Sequence, residues 1–447
     1  MKYTWLYVLL AAYLATPGLA QQGNAAPPAD GNRIPADAQV LRLDDVVREA
    51  LEKSPEAESA WHAIKALQHR IAPAEALPDP TVAVGWAGNP APFSVMARDA
   101  SSYRGVTVSE QFPYPGKRKL QGAIAGKDVE AAQANYEAIR RRITAEVKAA
   151  YYEYFYDGKA LQTANRNKTT LEELAQIAAA QYRAGKATQP DVLRAQVEVS
   201  LMLEKIIVLE AQRSAAQAQL NAQMQRAPES PLPPAEEAQP VAMTSSLDQL
   251  YALAAENDAD AEGDQKQIER NRLAVTLAEK QIRPDLGVSY MFQQRADQPD
   301  MNGLTFSVNL PVFYKSKQRQ AISEASENLI SAEKTRDGRL NQVRLAVRQQ
   351  YVTAKAAEKL MSLYSKGVVP QSSLALESSM ASYQTGKIAI QPVIENITTL
   401  LDYETDYYRQ LADYQTALAR IESLTGELDQ GLPGATEPAI QLVPKEK

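Results

Sequence analysis

One series of sequence signals occurs twice in this chain, and the duplication limits the possible folds more than any other feature. Leu43-Asp44 is echoed by Leu247-Asp248, Pro78-Asp79 by Pro284-Asp285, Phe112-Pro113 by Leu310-Pro311, and "YRAGK" (182–186) by "YQTGK" (383–387). The offsets are 204, 206, 198 and 201 residues. Self-similarity at a near-constant spacing means that one structural unit is built twice. The drop from 206 to 198 predicts a longer loop between the two strands of the first unit. Between the units lies "RAPESPLPPAEEAQP" (226–240), whose prolines cannot continue a helix and so predict a linker. The chain therefore divides into a signal peptide (1–20), an N-terminal extension (21–42), a first repeat (43–226), a proline-rich linker (227–246), a second repeat (247–426) and a C-terminal tail (427–447). The signal peptide is read from Lys2, the apolar run from Leu6 to Leu14 and the small residues ending at Ala20.

Each repeat follows one plan. A helix spans about 44–76, broken where Ser54 suits an N-cap and Pro55 the first helical position. Two strands, a very long helix, a glycine-containing turn and a second helix follow. The second repeat copies this, with its break near Asn257 to Asp260. The long helices, 116–184 and 315–385, would each reach roughly 100 Å at about 1.5 Å per residue. Their partners, 189–226 and 390–425, are half as long, and the helices at 44–76 and 247–283 supply the missing halves. Each repeat thus makes one long column and one composite column. Gly367 and Pro370 predict a kink in the second long helix.

All four strands alternate with period two. Val82, Val84 and Trp86 oppose Thr81, Ala83 and Gly85. Val106, Val108 and Phe112 oppose Gly105, Thr107, Ser109 and Gln111. Leu286, Val288, Tyr290 and Phe292 oppose Gly287, Ser289 and Met291, while Leu304, Phe306, Val308 and Leu310 oppose Gly303, Thr305, Ser307 and Asn309. One face is apolar and the other small or polar, over about the 9–11 residues that cross a bilayer when tilted. That pattern fits a membrane β-barrel with lipid outside, and also a soluble sheet with one buried face. Val106, Val108, Val288, Phe306 and Val308 are the candidate lipid-facing residues. Four strands cannot close a barrel and eight would fill their own interior, so three copies is the smallest number that leaves a lumen. Pro113, Pro115 and Pro311 mark the strand-to-helix junctions, followed by the basic residues Lys117, Arg118, Lys119, Lys315, Lys317 and Arg319, expected just below the bilayer near headgroups.

Composition removes whole classes of function. There is no cysteine, which excludes disulfides, thiolate metal sites and a lipoprotein acyl anchor. Only two histidines occur, His62 and His69, seven apart and too distant to share a ligand, so no metal site and no cofactor is expected. A net charge of -6 argues against nucleic-acid binding. No phosphate loop, nucleophile elbow or metal-spaced histidine pair is present, so no catalytic site is expected. The tyrosines of "YYEYFY" (151–156) suit packing between helices.

On these residues the chain resembles the TolC-like outer-membrane efflux proteins over about 41–426. The resemblance rests on the repeat, on Pro-Asp before a first strand, on "FPYPGKR" and "LPVFYKSKQR" after the second strands, and on "YRAGKATQPDVLRAQ" and "YQTGKIAIQPVIEN" at the helix tips. "FPYPGKR" looks most like the branch paired with heavy-metal exporters of the resistance-nodulation-division class. The resemblance implies a mainly α fold with β, in which long helical hairpins form an α-barrel. Four strands per chain would contribute to a 12-stranded transmembrane β-barrel in a homotrimer. It implies an outer-membrane exit duct extending into the periplasm, with a periplasmic adaptor, an inner-membrane pump and outer-membrane lipid as partners. The adaptor would dock at Ala184, Gly185, Lys186, Thr385, Gly386 and Lys387. Tyr383, Glu395 and Asp191 would belong to a periplasmic gate. Family positions that carry an acidic and a basic gate residue hold Pro392 and Ile388 here, a departure that removes one ring and one latch. Competing readings are a type I secretion duct, a periplasmic coiled-coil adaptor without its own barrel, and a phage or toxin receptor barrel.

Overall fold

The computed structural model describes residues 40–88, 95, 99 and 101–426. The signal peptide, nearly all of the N-terminal extension and the C-terminal tail lie outside them. The element order is α1 (Leu43–Lys53), α2 (Pro55–Glu75), β1 (Thr81–Ala87), β2 (Tyr103–Phe112), α3 (Lys117–Arg183) and α4 (Gln189–Gln223). It continues through α5 (Leu247–Asn257), α6 (Ala259–Lys280), β3 (Asp285–Gln294), β4 (Met301–Asn309), α7 (Gln318–Leu363), α8 (Val369–Gln384) and α9 (Gln391–Thr425). The series helix, helix, strand, strand, long helix, helix thus runs twice. Residues 88–102 separate the first strand pair and 295–300 the second, the inequality the offsets require.

The helix breaks have local causes. Ser54 accepts a hydrogen bond from the Ala57 N–H and Pro55 opens α2. Asp258 accepts from the Ala261 N–H at the start of α6. The second long helix is not continuous: a π-helical turn, Tyr364–Val368, separates α7 from α8. Pro370 lacks an N–H and its ring crowds the preceding turn. The widened turn relieves this, with the Val369 N–H reaching back to the Tyr364 carbonyl. The helix also starts later than residue 315, because 312–317 form turns.

The helices pack side by side, α3 against α2, α4, α6 and α9, and α7 against α5, α6 and α9. The core is three apolar clusters strung along these columns. One joins Leu171, Leu174, Ile206, Ile394 and Ile397. A second joins Leu250, Val347, Leu411 and Ile421. The third joins Val46, Val147, Leu220 and Met224. The composite column is spliced at Glu49 of α1, which is 1% exposed. Its carboxylate takes both forks of Arg226, just beyond α4, at 2.7 and 2.5 Å, and the Lys53 ammonium at 2.8 Å.

Residues 227–246 are a strap bonded across the helices, more than a bare linker. Leu41 bridges Ala235, with the Leu41 N–H donating to the Pro234 carbonyl and the Glu236 N–H to the Leu41 carbonyl. The Tyr151 hydroxyl donates to the Leu41 carbonyl at 2.9 Å, and the Tyr154 hydroxyl to the Leu232 carbonyl at 3.2 Å. The Tyr414 hydroxyl reaches Val241 at 2.6 Å, Gln415 reaches Gln239 and Asn221 reaches Ser230. A proline-rich segment presents carbonyls with few N–H groups, so side-chain donors can satisfy it against a helix face. The tyrosines of 151–156 do pack between elements, and two of them also hold this strap.

Burial alone would raise the Glu49 pKa, but the hydrogen bonds from Arg226 and Lys53 outweigh it and hold the carboxyl below its ordinary 4.5. A depressed carboxylate stabilises the fold above its unfolded value, and that stability is lost as pH falls through the folded value. Glu49→Gln should therefore cost about 3–5 kcal/mol at pH 7, the penalty of orphaning a buried partner. The gap between wild type and variant should close in denaturant titrations repeated below about pH 4. An equal gap at both pH values would mean that the charge of Glu49 contributes nothing.

Candidate functional site

Two regions carry the chemistry, the strand band and the opposite helix tips. The strands form one antiparallel sheet in the order β1-β2-β3-β4. Val82 faces Val108 and Val84 faces Val106. Val106 faces Phe292, Val108 faces Tyr290 and Phe112 faces Leu286. Leu286 faces Val308, Val288 faces Phe306 and Tyr290 faces Leu304. Directly paired residues share a face, so all five candidate lipid-facing residues lie on one apolar surface. Most of it is bare: Val84 is 82% exposed, Phe306 73% and Val308 51%, with Val288 half-buried. The reverse face pairs Thr107 with Met291, Ser109 with Ser289 and Gly287 with Ser307. Glu110 interrupts the apolar face opposite Val288, one residue pair from the junction, a feature the alternation argument passed over.

The first junction has a definite lock. Pro113 and Pro115 end the ladder, and Gly116 at φ +91° turns the chain into α3. Asp285, the acid of the second Pro-Asp pair, accepts from the Tyr114 N–H at 2.7 Å and from Lys117 Nζ at 2.8 Å. Lys117 also donates to the Arg283 carbonyl at 2.9 Å. Lys117, grouped by sequence with the other basic residues of the junctions, is thus bonded inward and not presented to the surface. It is 3% exposed, with its ammonium bonded twice to the base of β3. Lys119, Lys315, Lys317 and Arg319 do remain exposed. Pro311 ends β4 in the corresponding way, before the turn at 312–317.

The two tips have the same geometry. Gly185 and Gly386 both adopt φ +74°. The Gly185 N–H donates to Tyr182 and the Lys186 N–H to Gln181, while Gly386 donates to Tyr383 and Lys387 to Ser382. This is the paired 5→2 and 6→1 bonding of a Schellman cap, with Ala184 and Thr385 as the capping residues. A Cβ on either glycine would meet nothing within 4 Å, so the demand for glycine here comes from φ alone. The Gln181 amide crosses to the other tip, donating to the Tyr383 carbonyl at 2.8 Å and the Gln384 carbonyl at 3.2 Å. Sequence reasoning missed this link; the only hint is that Ser382, too short for the return contact, stands where the repeat would place Gln181's counterpart.

The gate candidates occupy unlike settings. Asp191 accepts from both the N–H and the hydroxyl of Thr188, at 2.9 and 2.8 Å, and so caps α4. Glu395 is exposed on α9 and held by the Gln391 amide at 2.7 Å. Tyr383 is 3% exposed and its hydroxyl has no hydrogen-bond partner among the described residues. Burial, then the Asp191 carboxylate, push its pKa above 10. Ile388 packs on the apolar cluster below it. Among the described residues no group of three or more His, Cys, Asp or Glu is placed to hold a metal ion, and no helix is long and apolar enough to cross a membrane.

A sheet with one largely apolar, exposed face, joined directly to helices of up to 67 residues, has the build of an outer-membrane protein whose strands meet lipid and whose helices extend beyond it. Residues 46–224 match the family model described as outer membrane efflux protein. Protein CyaE of Bordetella pertussis is 35% identical over 216 residues, 44% of this chain and 44% of that protein, so the match spans less than half of the relative's length. Among solved structures, the outer membrane protein VceC from Vibrio cholerae superposes with a TM-score of 0.71 at 18% identity, over 86% of this chain and 96% of that one. CusC gives 0.72 at 13%, over 86% and 91%. The open-state MtrE outer membrane channel of Neisseria gonorrhoeae gives 0.66 at 15%, over 89% and 94%. Residues 46–224 thus resemble outer membrane efflux proteins, and the fold of the whole described chain is the one seen in these outer-membrane channels.

The face assignment is testable. Arg at Val108 or Phe306 should cost roughly 2–4 kcal/mol near the bilayer midplane and reduce membrane assembly. Arg at Thr107 or Ser307 should assemble normally and change single-channel conductance instead. Equal assembly defects in both sets would refute the assignment. At the tips, Gly185→Val or Gly386→Val should cost about 1–2 kcal/mol through φ alone, and Gly→Asn less, as read by thermal melting in detergent.

Proposed function

We propose that three copies of this chain form a passive exit duct across the outer membrane and into the periplasm, fed by an inner-membrane pump through a periplasmic adaptor. The observation that carries this reading is the apolar face shared by all four strands, in a sheet whose two edges are open. A single chain cannot close that sheet, and three bring twelve strands to one barrel. Its interior would be the small and polar face, and the helical columns would continue the lumen. Transport energy comes from the partner.

The adaptor docks at the tips, on Ala184, Gly185, Lys186, Thr385, Gly386 and Lys387. Both caps are exposed and share one backbone geometry, so they offer similar platforms twice per subunit. Tyr383, Asp191 and Glu395 cluster in sequence around those tips and form the entrance. Asp191 and the Gln181 bridge act by holding the entrance shape. Glu395 acts by charge: three symmetry copies make an acidic ring that concentrates cations and raises each carboxyl's proton affinity.

Purified protein in planar bilayers tests the duct. A conductance should appear, and a trivalent cation added on the periplasmic side should block it. Glu395→Gln should weaken that block and lower cation preference, and Pro392, which leaves one acidic ring, keeps the wild-type block modest. Identical block and selectivity in both proteins would reduce Glu395 to a solvated surface residue. Gly386→Val should leave the channel in the membrane yet impair cross-linking to the adaptor; intact cross-linking and export would remove the tips from the docking surface.

A further inference from the structure

The sheet has two open edges, and the chain carries a template for what closes them. Within the chain, the junction after β2 locks onto the entrance of β3 through Lys117, Asp285 and the Arg283 carbonyl. Applying the repeat offsets of 206 for β1 to β3 and 198 for β2 to β4, Asp285 corresponds to Asp79, Arg283 to Leu77 and Lys117 to Lys315. Asp79 and Lys315 are both exposed, and neither has an ion-pair partner among the described residues. They sit at the bases of β1 and β4, which are opposite edges of the sheet, so they cannot meet within one chain.

We propose that Lys315 of one subunit and Asp79 of a second copy form an inter-subunit latch that sets the register of β4 against the neighbour's β1. The proposal rests on the oligomeric duct reading above and names the contact that would assemble it.

Two further observations agree with the same superposition. The β2–β3 register, carried over by the offsets, pairs Leu304 with Trp86, Phe306 with Val84 and Val308 with Val82 on one face. It pairs Thr305 with Gly85 and Ser307 with Ala83 on the other. Every pair keeps apolar with apolar and small with polar, whereas a slip of one residue would mix them throughout. The second observation is a glycine. At Gly105 an added Cβ would lie 2.2 Å from the Phe292 carbonyl oxygen, so the close approach of β3 forbids a side chain. Its counterpart by the 198 offset is Gly303, on the open edge strand. There, an added Cβ meets only the Met291 side chain, at 3.2 Å and beyond. Nothing within the chain demands glycine as strictly as at Gly105; the neighbour's β1 backbone, at the carbonyl of Trp86, would. The junctions differ in one respect: Lys315 lies in a turn where Lys117 begins a helix. The flexible lysine stem can span that difference, and its ammonium needs no fixed fork geometry.

The native chain has no cysteine, so cysteine pairs report cleanly. Asp79→Cys with Lys315→Cys in the full-length membrane protein, treated with a short bifunctional thiol reagent, should give covalent dimers and trimers on denaturing gels. Val84→Cys with Phe306→Cys should do so by direct oxidation. The Lys117→Cys and Asp285→Cys pair should link only within a chain. Asp79→Lys should lower the detergent-resistant oligomer at least tenfold, and adding Lys315→Asp should restore it, while Lys317→Asp should have no effect. If Val84 and Phe306 cross-link but Asp79 and Lys315 do not, and the charge swap rescues nothing, the latch is wrong while the strand pairing stands. If neither pair cross-links although amine cross-linking traps trimers, register and latch both fall and the trimer survives. If amine cross-linking finds only monomers, the oligomeric duct itself fails, and the latch with it.

Discussion

Backbone hydrogen bonding in hydrocarbon is the constraint on which the rest of this structure depends. Each strand that enters lipid must have its N–H and C=O groups paired on both sides, since no water is available to them. β2 and β3 meet that condition inside the chain, through nine-residue ladders on their shared side. β1 and β4 meet it on one side only. A sheet left with two open edges would need further strands against β1 and β4 before it could sit in hydrocarbon. Its apolar face, exposed up to 82% at Val84, makes sense in lipid and would be an aggregation hazard in water.

The helices answer a different demand, that of staying straight and close over a length no single core could span. Three apolar clusters spaced along the columns replace one central core. Short side chains such as Ala150, Ala160, Ala164 and Ala178 are buried along α3, which lets neighbouring helices approach closely. Where a column is made of two helices, the splice needs specific bonding, and Glu49 with Arg226 and Lys53 supplies it. Where the two repeats join, the strap supplies it through Tyr151, Tyr154 and Tyr414. Long-range ion pairs add further ties, including Lys148 to Glu422 and Arg409 to Glu153.

Local signals in the sequence make much of this legible. Period-two alternation placed the strands and their faces, Ser54-Pro55 and Asp258 placed helix breaks, and "YRAGK" and "YQTGK" placed the caps. Each of these depends on residues a few positions apart. What stayed hidden depends on pairs far apart in sequence. Lys117 read as a surface charge because its partner, Asp285, lies 168 residues away. The strap read as a linker because its carbonyls are satisfied by tyrosines 78 to 173 residues distant. Gln181 looked like any helix glutamine, although its amide reaches the opposite tip. Arg104 and Glu110 escaped notice because an alternation argument counts apolar residues and passes over the two charges in that row of β2.

The two hairpins also differ in how firmly their helices are bonded. The first is continuous through 67 residues of α3, and its return helix starts on a bonded Thr188–Asp191 cap. The second is interrupted by the π-helical turn at 364–368, and α9 begins at Gln391 after Ile390, which supplies no side-chain cap. A widened turn weakens the bonding ladder at one level, and the start of α9 lacks side-chain bonding of the Thr188–Asp191 kind at another. Both lower the cost of bending the second hairpin relative to the first. The Gln181 amide ties the softer tip to the stiffer one by two hydrogen bonds to backbone carbonyls. Such bonds are individually weak, about 0.5–1.5 kcal/mol each. Ties of that strength hold the two tips together at rest and yield to a few kcal/mol of competing interaction at either one.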